Sequence, residues 1–298
     1  MKKIASSVAA AALFFGVAGL QAQTLDKIRK DGAITIGHRD SSIPFLYLND
    51  KQEPIGYSMD ICLKIADAVK AELKLPNLAV KMSPVTSATR TPLMANGTID
   101  LECGSTTNNA DRQKQVAYAS TTFITANRSV TKKTANVSNL DGLKGKTIVS
   151  ASGSTNIKQA VELNASRSLG MNILPAKDHA EAFLMVETGR AVAFVMDDIL
   201  LYSLVATAKT PGDYVVSAEG LSVEPYGIML RRDDPSFKAL VDRTVAGLMQ
   251  SGEIEKIYAK WFLAPVPPKN INLNLPISVA LKRVFAKPTD SPDPKLYE

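Results

Sequence analysis

Along the first hundred residues, apolar positions switch between a strand-like and a helix-like period. Residues 33–37, Ala-Ile-Thr-Ile-Gly, form a short β-prone run ending in glycine. Residues 56–72 place apolar side chains at Met59, Ile61, Leu63, Ile65, Ala66 and Val69, which predicts a helix. Residues 78–82 predict the next strand, 86–96 a short helix stopped by Gly97, and 99–103 a third strand. Strand and helix in turn are the mark of a mostly parallel α/β layer. The pattern restarts with a strand at 146–149, a helix at 156–169, a strand at 171–174 and a helix at 178–188. An apolar strand at 191–196 follows, then a helix from Asp197-Asp198 to about 206, completing a second α/β unit.

The end of the chain differs. A strand at 227–231 and helices at 235–250 and 253–262 are too few to form a domain alone, so they are expected to pack back on the first unit. The chain then crosses between two lobes near 125–130 and again near 221–226. Two crossings between rigid lobes make a hinge with a ligand cleft beside it. The expected fold is therefore α/β with two lobes, each a mostly parallel sheet flanked by helices. Residues 23–126 and 222–264 are assigned to lobe 1, 127–221 to lobe 2, and 265–298 to a C-terminal extension. The extension carries one helix near 277–286, and its Pro288, Pro292 and Pro294 segment is expected to be loose.

Residues 1–22 read as a secretory signal: Lys2 and Lys3, an apolar run over 4–20, and a cleavage point between Ala22 and Gln23. A periplasmic protein that acts as a monomer is expected. The net charge of the chain is +6, and +4 once Lys2 and Lys3 are set aside, spread without basic blocks. That distribution gives no nucleic-acid footprint. Cys62 on a predicted helix and Cys103 at a strand end form either a disulfide or two buried free thiols.

The candidate chemistry sits at strand ends, where open α/β sheets bind ligands. The densest stretch is residues 102–112, Glu-Cys-Gly-Ser-Thr-Thr-Asn-Asn-Ala-Asp-Arg. A strand ending at Gly104, the hydroxyls of Ser105, Thr106 and Thr107, Asn108 and Asn109 as helix N-caps, and Arg112 in the first turn make a carboxylate site. Arg39 follows the first strand, and Ser87 and Arg90 follow the second. Asp197 ends the apolar strand of the second unit, with Thr155 and His179 at helix starts. Each arginine alone reads as a solvated surface charge. Three converging on one cleft exceed what one carboxylate needs, since an unpaired guanidinium in a closed site is costly. Two anionic groups are implied, with Asp197 opposite them for a cation. Together they describe an acidic amino acid.

No metal or cofactor is expected. The chain has two histidines and no His-x-x-x-His, Cys-x-x-Cys or Gly-x-Ser-x-Gly motif. A lyase or dehydratase on this fold is the alternative, with only His179 or Asp197 to offer as acid. A sensory domain of a signalling protein is a third reading, disfavoured by the lack of any kinase-like segment.

At these residues the chain resembles the periplasmic glutamate/aspartate-binding proteins of ABC uptake systems. The resemblance rests on Gly37-His38-Arg39, Thr86-Ser87 with Arg90, the 102–113 stretch, Ala176-Lys177-Asp178-His179, Gly189 to Phe194 with Met196-Asp197-Asp198, and Trp261-Phe262 with Pro265, Pro267 and Pro268. It implies the type II two-lobe fold and delivery of the ligand to an inner-membrane ABC permease. It implies that Ser105, Thr107 and Arg112, helped by Thr155, hold the α-carboxylate and Asp197 the α-ammonium. Arg39, Ser87, Arg90 and His179 would hold the side-chain carboxylate. Where the family pattern has a Cys after a Tyr-Gly pair, this chain has Ile228 after Tyr226-Gly227, so any disulfide joins Cys62 to Cys103 or is absent.

Overall fold

The computed structural model describes residues 24–137 and 139–298. The leader read in residues 1–22 lies outside the described residues. Two sheets organise the rest. The first has the strand order Ala79–Pro84, Ala33–His38, Leu101–Glu102, Met229–Arg231, Val116–Tyr118. Its first three strands are parallel, and Met229–Arg231 runs antiparallel to both its neighbours. The second has the order Asn172–Ala176, Thr147–Ala151, Ala193–Asp197, Phe123–Lys132, Tyr214–Val216, with Ser222–Tyr226 also paired to Phe123–Lys132. Here too the strands followed by helices are parallel, and the strands entering from elsewhere join antiparallel. Both sheets are thus mixed, because the segments that leave and re-enter each unit do so through extended chain.

Two of those segments matter most. The chain leaves the first sheet after Val116–Tyr118 and enters the second as Phe123–Lys132. It returns through Ser222–Tyr226 to Met229–Arg231. The two passages pair with each other, Tyr226 opposite Phe123 and Ser222 opposite Asn127. An aromatic cluster fixes their first-sheet end: Phe45 lies edge-on to Phe123 and Tyr226 at 4.9 and 5.1 Å, and Phe262 stacks on Phe123 at 4.9 Å. Such pairs add to the burial of their large apolar surface.

Helices bounded by predicted apolar stripes appear close to where the spacing puts them. Tyr57–Leu73 buries Ile61, Ile65 and Val69, and the helices Pro235–Gln250 and Glu253–Phe262 pack against this helix. Cys62 of that helix is joined to Cys103 by a disulfide, with the Cα atoms 6.3 Å apart. Between the strand Ala33–His38 and the helix Tyr57–Leu73 lies a small three-stranded sheet of Ser41–Ser42, Leu46–Leu48 and Pro54–Ile55. The predicted helix over 86–96 is regular only across Arg90–Ala95. The strand expected over 99–103 is ladder-bonded only at Leu101–Glu102.

The chain's last residues correct a further expectation. They are packed, not loose. Tyr297 is buried, its hydroxyl 3.0 Å from Thr121 Oγ1 and donating to Ser291 O at 2.7 Å. Asn108 Nδ2 and Gln113 Nε2 both donate to the Asp290 carbonyl, at 2.8 and 2.9 Å, and Lys238 pairs with the Asp290 carboxylate at 2.8 Å. Proline content misled here: it limits backbone donors but leaves carbonyls and an aromatic anchor free to dock. Tyr297→Ala is expected to lower the melting temperature by about 5 °C or more, as loss of a buried aromatic does. An unchanged melting temperature would show the tail to be unattached.

Candidate functional site

The strand ends of the first sheet deliver two buried guanidinium groups. Arg39 directly follows the strand Ala33–His38 and is 2% exposed, yet neither Nη1 nor Nη2 has a hydrogen-bond partner among the described residues. Arg90 opens the helix Arg90–Ala95 and is equally buried. Its Nη1 donates to Ser105 O at 3.2 Å and to Thr106 Oγ1, while its Nε is unpartnered. Burial pulls both groups' pKa values below the usual arginine range, Arg90 to about 10, and the nearby Glu102 carboxylate opposes the fall. Both stay charged at neutral pH. Arg112 and Arg39 also lower the Arg90 value, so Arg90 feels both of the other guanidinium groups.

The loop after Glu102 is held from outside the sheet. Gly227 N donates to Thr106 O at 3.1 Å, Asn108 N donates to Pro225 O at 2.7 Å, and Thr107 bridges to Tyr226. Ser105 Oγ is buried without a partner, and Ser87 is buried nearby in sequence to Arg90. Asn109 caps the short helix Ala110–Gln113, accepting from Arg112 N at 2.9 Å. Asn108, expected as a second cap, instead reaches the C-terminal extension. Arg112 is less buried than the other two arginines, and its Nη1 donates to Thr107 O at 2.8 Å.

The second sheet faces this with a carboxylate. Asp197 closes the strand Ala193–Asp197, fully buried, its Oδ1 accepting from Asn156 Nδ2 at 2.7 Å and its Oδ2 accepting from the Tyr226 hydroxyl. Burial, and then Glu224, push its pKa up to about 7. Asp198 turns away to Thr125 Oγ1 at 2.6 Å and Arg128 Nε at 3.1 Å. Thr155 starts the helix Thr155–Ser166 and donates to Glu224 Oε2 at 3.1 Å. His179 starts the helix His179–Glu187 and is buried; burial, then Arg39 and Arg90, hold its pKa well below the usual range, so the ring is neutral.

The two sets of residues touch. Thr107 Oγ1 lies 3.4 Å from Thr155 Oγ1, and Ser42 Oγ lies 3.3 Å from His179 Nδ1. Arg112 Nη2 donates to Gly153 O at 3.3 Å, and Asp111 pairs with Lys158 at 2.7 Å. Gly153 has φ +75°, and a Cβ there would lie 2.6 Å from Ala88 Cα. Only glycine permits this approach. In this candidate site Arg39, Ser87, Arg90, Ser105, Thr107, His179 and Asp197 are buried, and Arg112 and Thr155 are partly buried. Sequence reasoning missed four residues that shape it: Glu102, Asn156, Glu224 and Tyr226. Glu102 was detectable as a charge between Leu101 and Cys103 at a strand end; the other three are brought in by the fold. Among the described residues, no group of His, Cys, Asp or Glu could hold a metal ion, and no helix is long and apolar enough to cross a membrane.

The profile of the bacterial extracellular solute-binding proteins, family 3, matches residues 34–264. The chain is 53% identical over 268 residues to the L-glutamate/L-aspartate-binding protein of Pseudomonas aeruginosa, covering 90% of this chain and 89% of that one. It is 45% identical over 296 residues to the glutamate/aspartate import solute-binding protein of Escherichia coli K12, covering 97% and 98%. Among solved structures it is similar to a mutant of ArgBP from T. maritima, with a TM-score of 0.70, 24% identity, and coverage of 80% and 98%.

The buried Asp197 has a consequence for stability. Its folded pKa, about 7, lies above the unfolded value, about 3.9, so the folded form holds the proton more tightly. Stability is lost as pH rises from the unfolded value through the folded one. Without ligand, Asp197→Asn is expected to melt above the wild type at pH 8, the gap closing toward pH 4. A pH-independent gap in thermal melts would contradict this.

Proposed function

The chain belongs to the bacterial extracellular solute-binding proteins of family 3, and we propose that it is the periplasmic receptor for L-glutamate and L-aspartate of an ABC import system. It captures the amino acid between its two sheets and delivers it to a permease in the inner membrane. One observation carries the reading. Arg39 and Arg90 are buried with donors left unpartnered, Arg112 acts on Arg90 electrostatically, and the second sheet ends in the buried Asp197. Unpartnered buried donors are expensive, and an anion that accepts from them removes the expense.

In this proposal Arg112, Ser105 and Thr107 take the α-carboxylate, with Thr155 closing from the other side. Asp197 takes the ammonium; Asn156 and Tyr226 hold its carboxylate in place. Arg39, Arg90, Ser87 and the neutral His179 take the side-chain carboxylate. The relatives at 53% and 45% identity carry the names of binding proteins, which supports a receptor over the lyase reading. The paired strands Phe123–Lys132 and Ser222–Tyr226 serve as the hinge. Ligand shifts the hinge because only the closed form lets both sides touch it. The closed surface is what the permease reads.

Titration calorimetry is expected to show one site per chain for L-glutamate or L-aspartate and much weaker binding of L-glutamine. Arg112→Ala should abolish binding of every amino acid, whereas Arg39→Ala should weaken acidic ligands by about 10- to 100-fold and neutral ones less. Equal losses for both ligand classes would refute the division of roles. Gly153→Ala should lower affinity by keeping the two sides apart, with small-angle scattering showing no compaction on adding ligand. Normal compaction and affinity would mean that closure does not need the Gly153–Ala88 approach.

A further inference from the structure

Glu102 is a carboxylate buried beside Arg90, and none of the ligand roles above uses it. It ends the strand Leu101–Glu102 at the middle of the first sheet and is fully buried. Its Oε2 accepts from Thr106 Oγ1 at 2.5 Å. That same hydroxyl accepts from Arg90 Nη1. Its Oε1 lies 3.7 Å from Arg90 Nη1 and has no hydrogen-bond partner among the described residues. A Cβ on Gly104 would meet Glu102 Oε1 at 2.3 Å and Arg39 Cγ at 2.9 Å, so the missing side chain of Gly104 makes room for both.

We propose that Glu102 is the positioning residue that sets the preference of this site for an acidic side chain, acting on Arg90 through the Thr106 hydroxyl. One end of the Arg90 guanidinium, Nη1, is fully engaged by Ser105 O, Thr106 Oγ1 and the Glu102 carboxylate. Its Nε edge is left unengaged. A guanidinium tethered at one end presents its remaining donors in a fixed direction, which a freely rotating one does not. The carboxylate also offsets one of the three cations at Arg39, Arg90 and Arg112, of which Arg90 is repelled by the other two. Three positive charges against one negative leave two, which matches the two carboxylates of an acidic amino acid, while Asp197 on the other side matches its ammonium. This corrects the arithmetic of three arginines for two carboxylates. Thr106 completes the relay because a hydroxyl can donate to Glu102 and accept from Arg90 at once.

The inference rests on the acidic-ligand reading, so its test measures the ratio of L-glutamate to L-glutamine affinity by competition calorimetry, with melting curves for each variant. In the wild type the ratio is expected to favour L-glutamate strongly; a wild type without that preference overturns both readings. Glu102→Gln keeps the shape and removes the charge, and should reduce the ratio about tenfold or more, the effect of losing a charged hydrogen bond. Thr106→Val, which breaks the relay without touching Glu102, should reduce it similarly. Combining the two should do little more than either alone, and Thr106→Ser, which restores the hydroxyl, should recover most of the preference. A general loss of packing lowers melting temperature and both affinities together and does not move the ratio. A wild-type preference that persists or grows in Glu102→Gln and Thr106→Val overturns the role of Glu102 and leaves the proposed function standing.

Discussion

A guanidinium group withdrawn from water has to find acceptors inside the protein or in something the protein binds. That constraint governs this molecule. Arg39 and Arg90 are 2% exposed, and the fold supplies them with few acceptors: Ser105 O and the Thr106 hydroxyl, both on Arg90, with the Glu102 carboxylate 3.7 Å away. Arg39 Nη1 and Nη2 receive none. Gly104 leaves space for the Arg39 stem beside Glu102, and the disulfide from Cys103 ties the same strand end to the helix behind it. The local structure is thus arranged to keep cations buried and underpaired. That arrangement is unfavourable by itself and becomes favourable with an anionic ligand present.

The same residues link the site to the hinge. Tyr226 ends the returning strand, packs edge-on against Phe45, bridges to Thr107 in the arginine-side loop, and donates its hydroxyl to Asp197 across the region. One residue therefore touches the crossing, the loop and the opposing carboxylate. The C-terminal extension braces the loop from the other side through Asp290 and Asn108. The crossing, the loop and the opposing carboxylate are thus joined by packing at this one point.

Much of this was legible in the chain. Periods of two and 3.6 gave the helices and strands of both units, because each buries one face and so must pattern its apolar residues. The strand ends placed Arg39, Arg90, Ser105, Thr107, Arg112 and Asp197 correctly with respect to their elements. What was not legible depends on distant contacts. Asn156 and Tyr226 meet Asp197 only once the second sheet and the returning strand are assembled. The small sheet over 41–55 is too short for any periodicity to register. The tail seemed bound to be loose by composition, yet one tyrosine and one carbonyl anchor it. Glu102 stood in plain view but could be interpreted only beside its arginines.

The underpaired guanidinium groups are proposed to receive the side-chain carboxylate of an acidic amino acid. The most direct measurement is a crystal structure of the protein with L-glutamate. In that structure Arg39 Nη1 or Nη2 and Arg90 Nε are expected within about 3 Å of the side-chain carboxylate oxygens, with the ammonium against Asp197. A ligand whose side-chain carboxylate lies elsewhere, with Arg39 still lacking an acceptor, would contradict it.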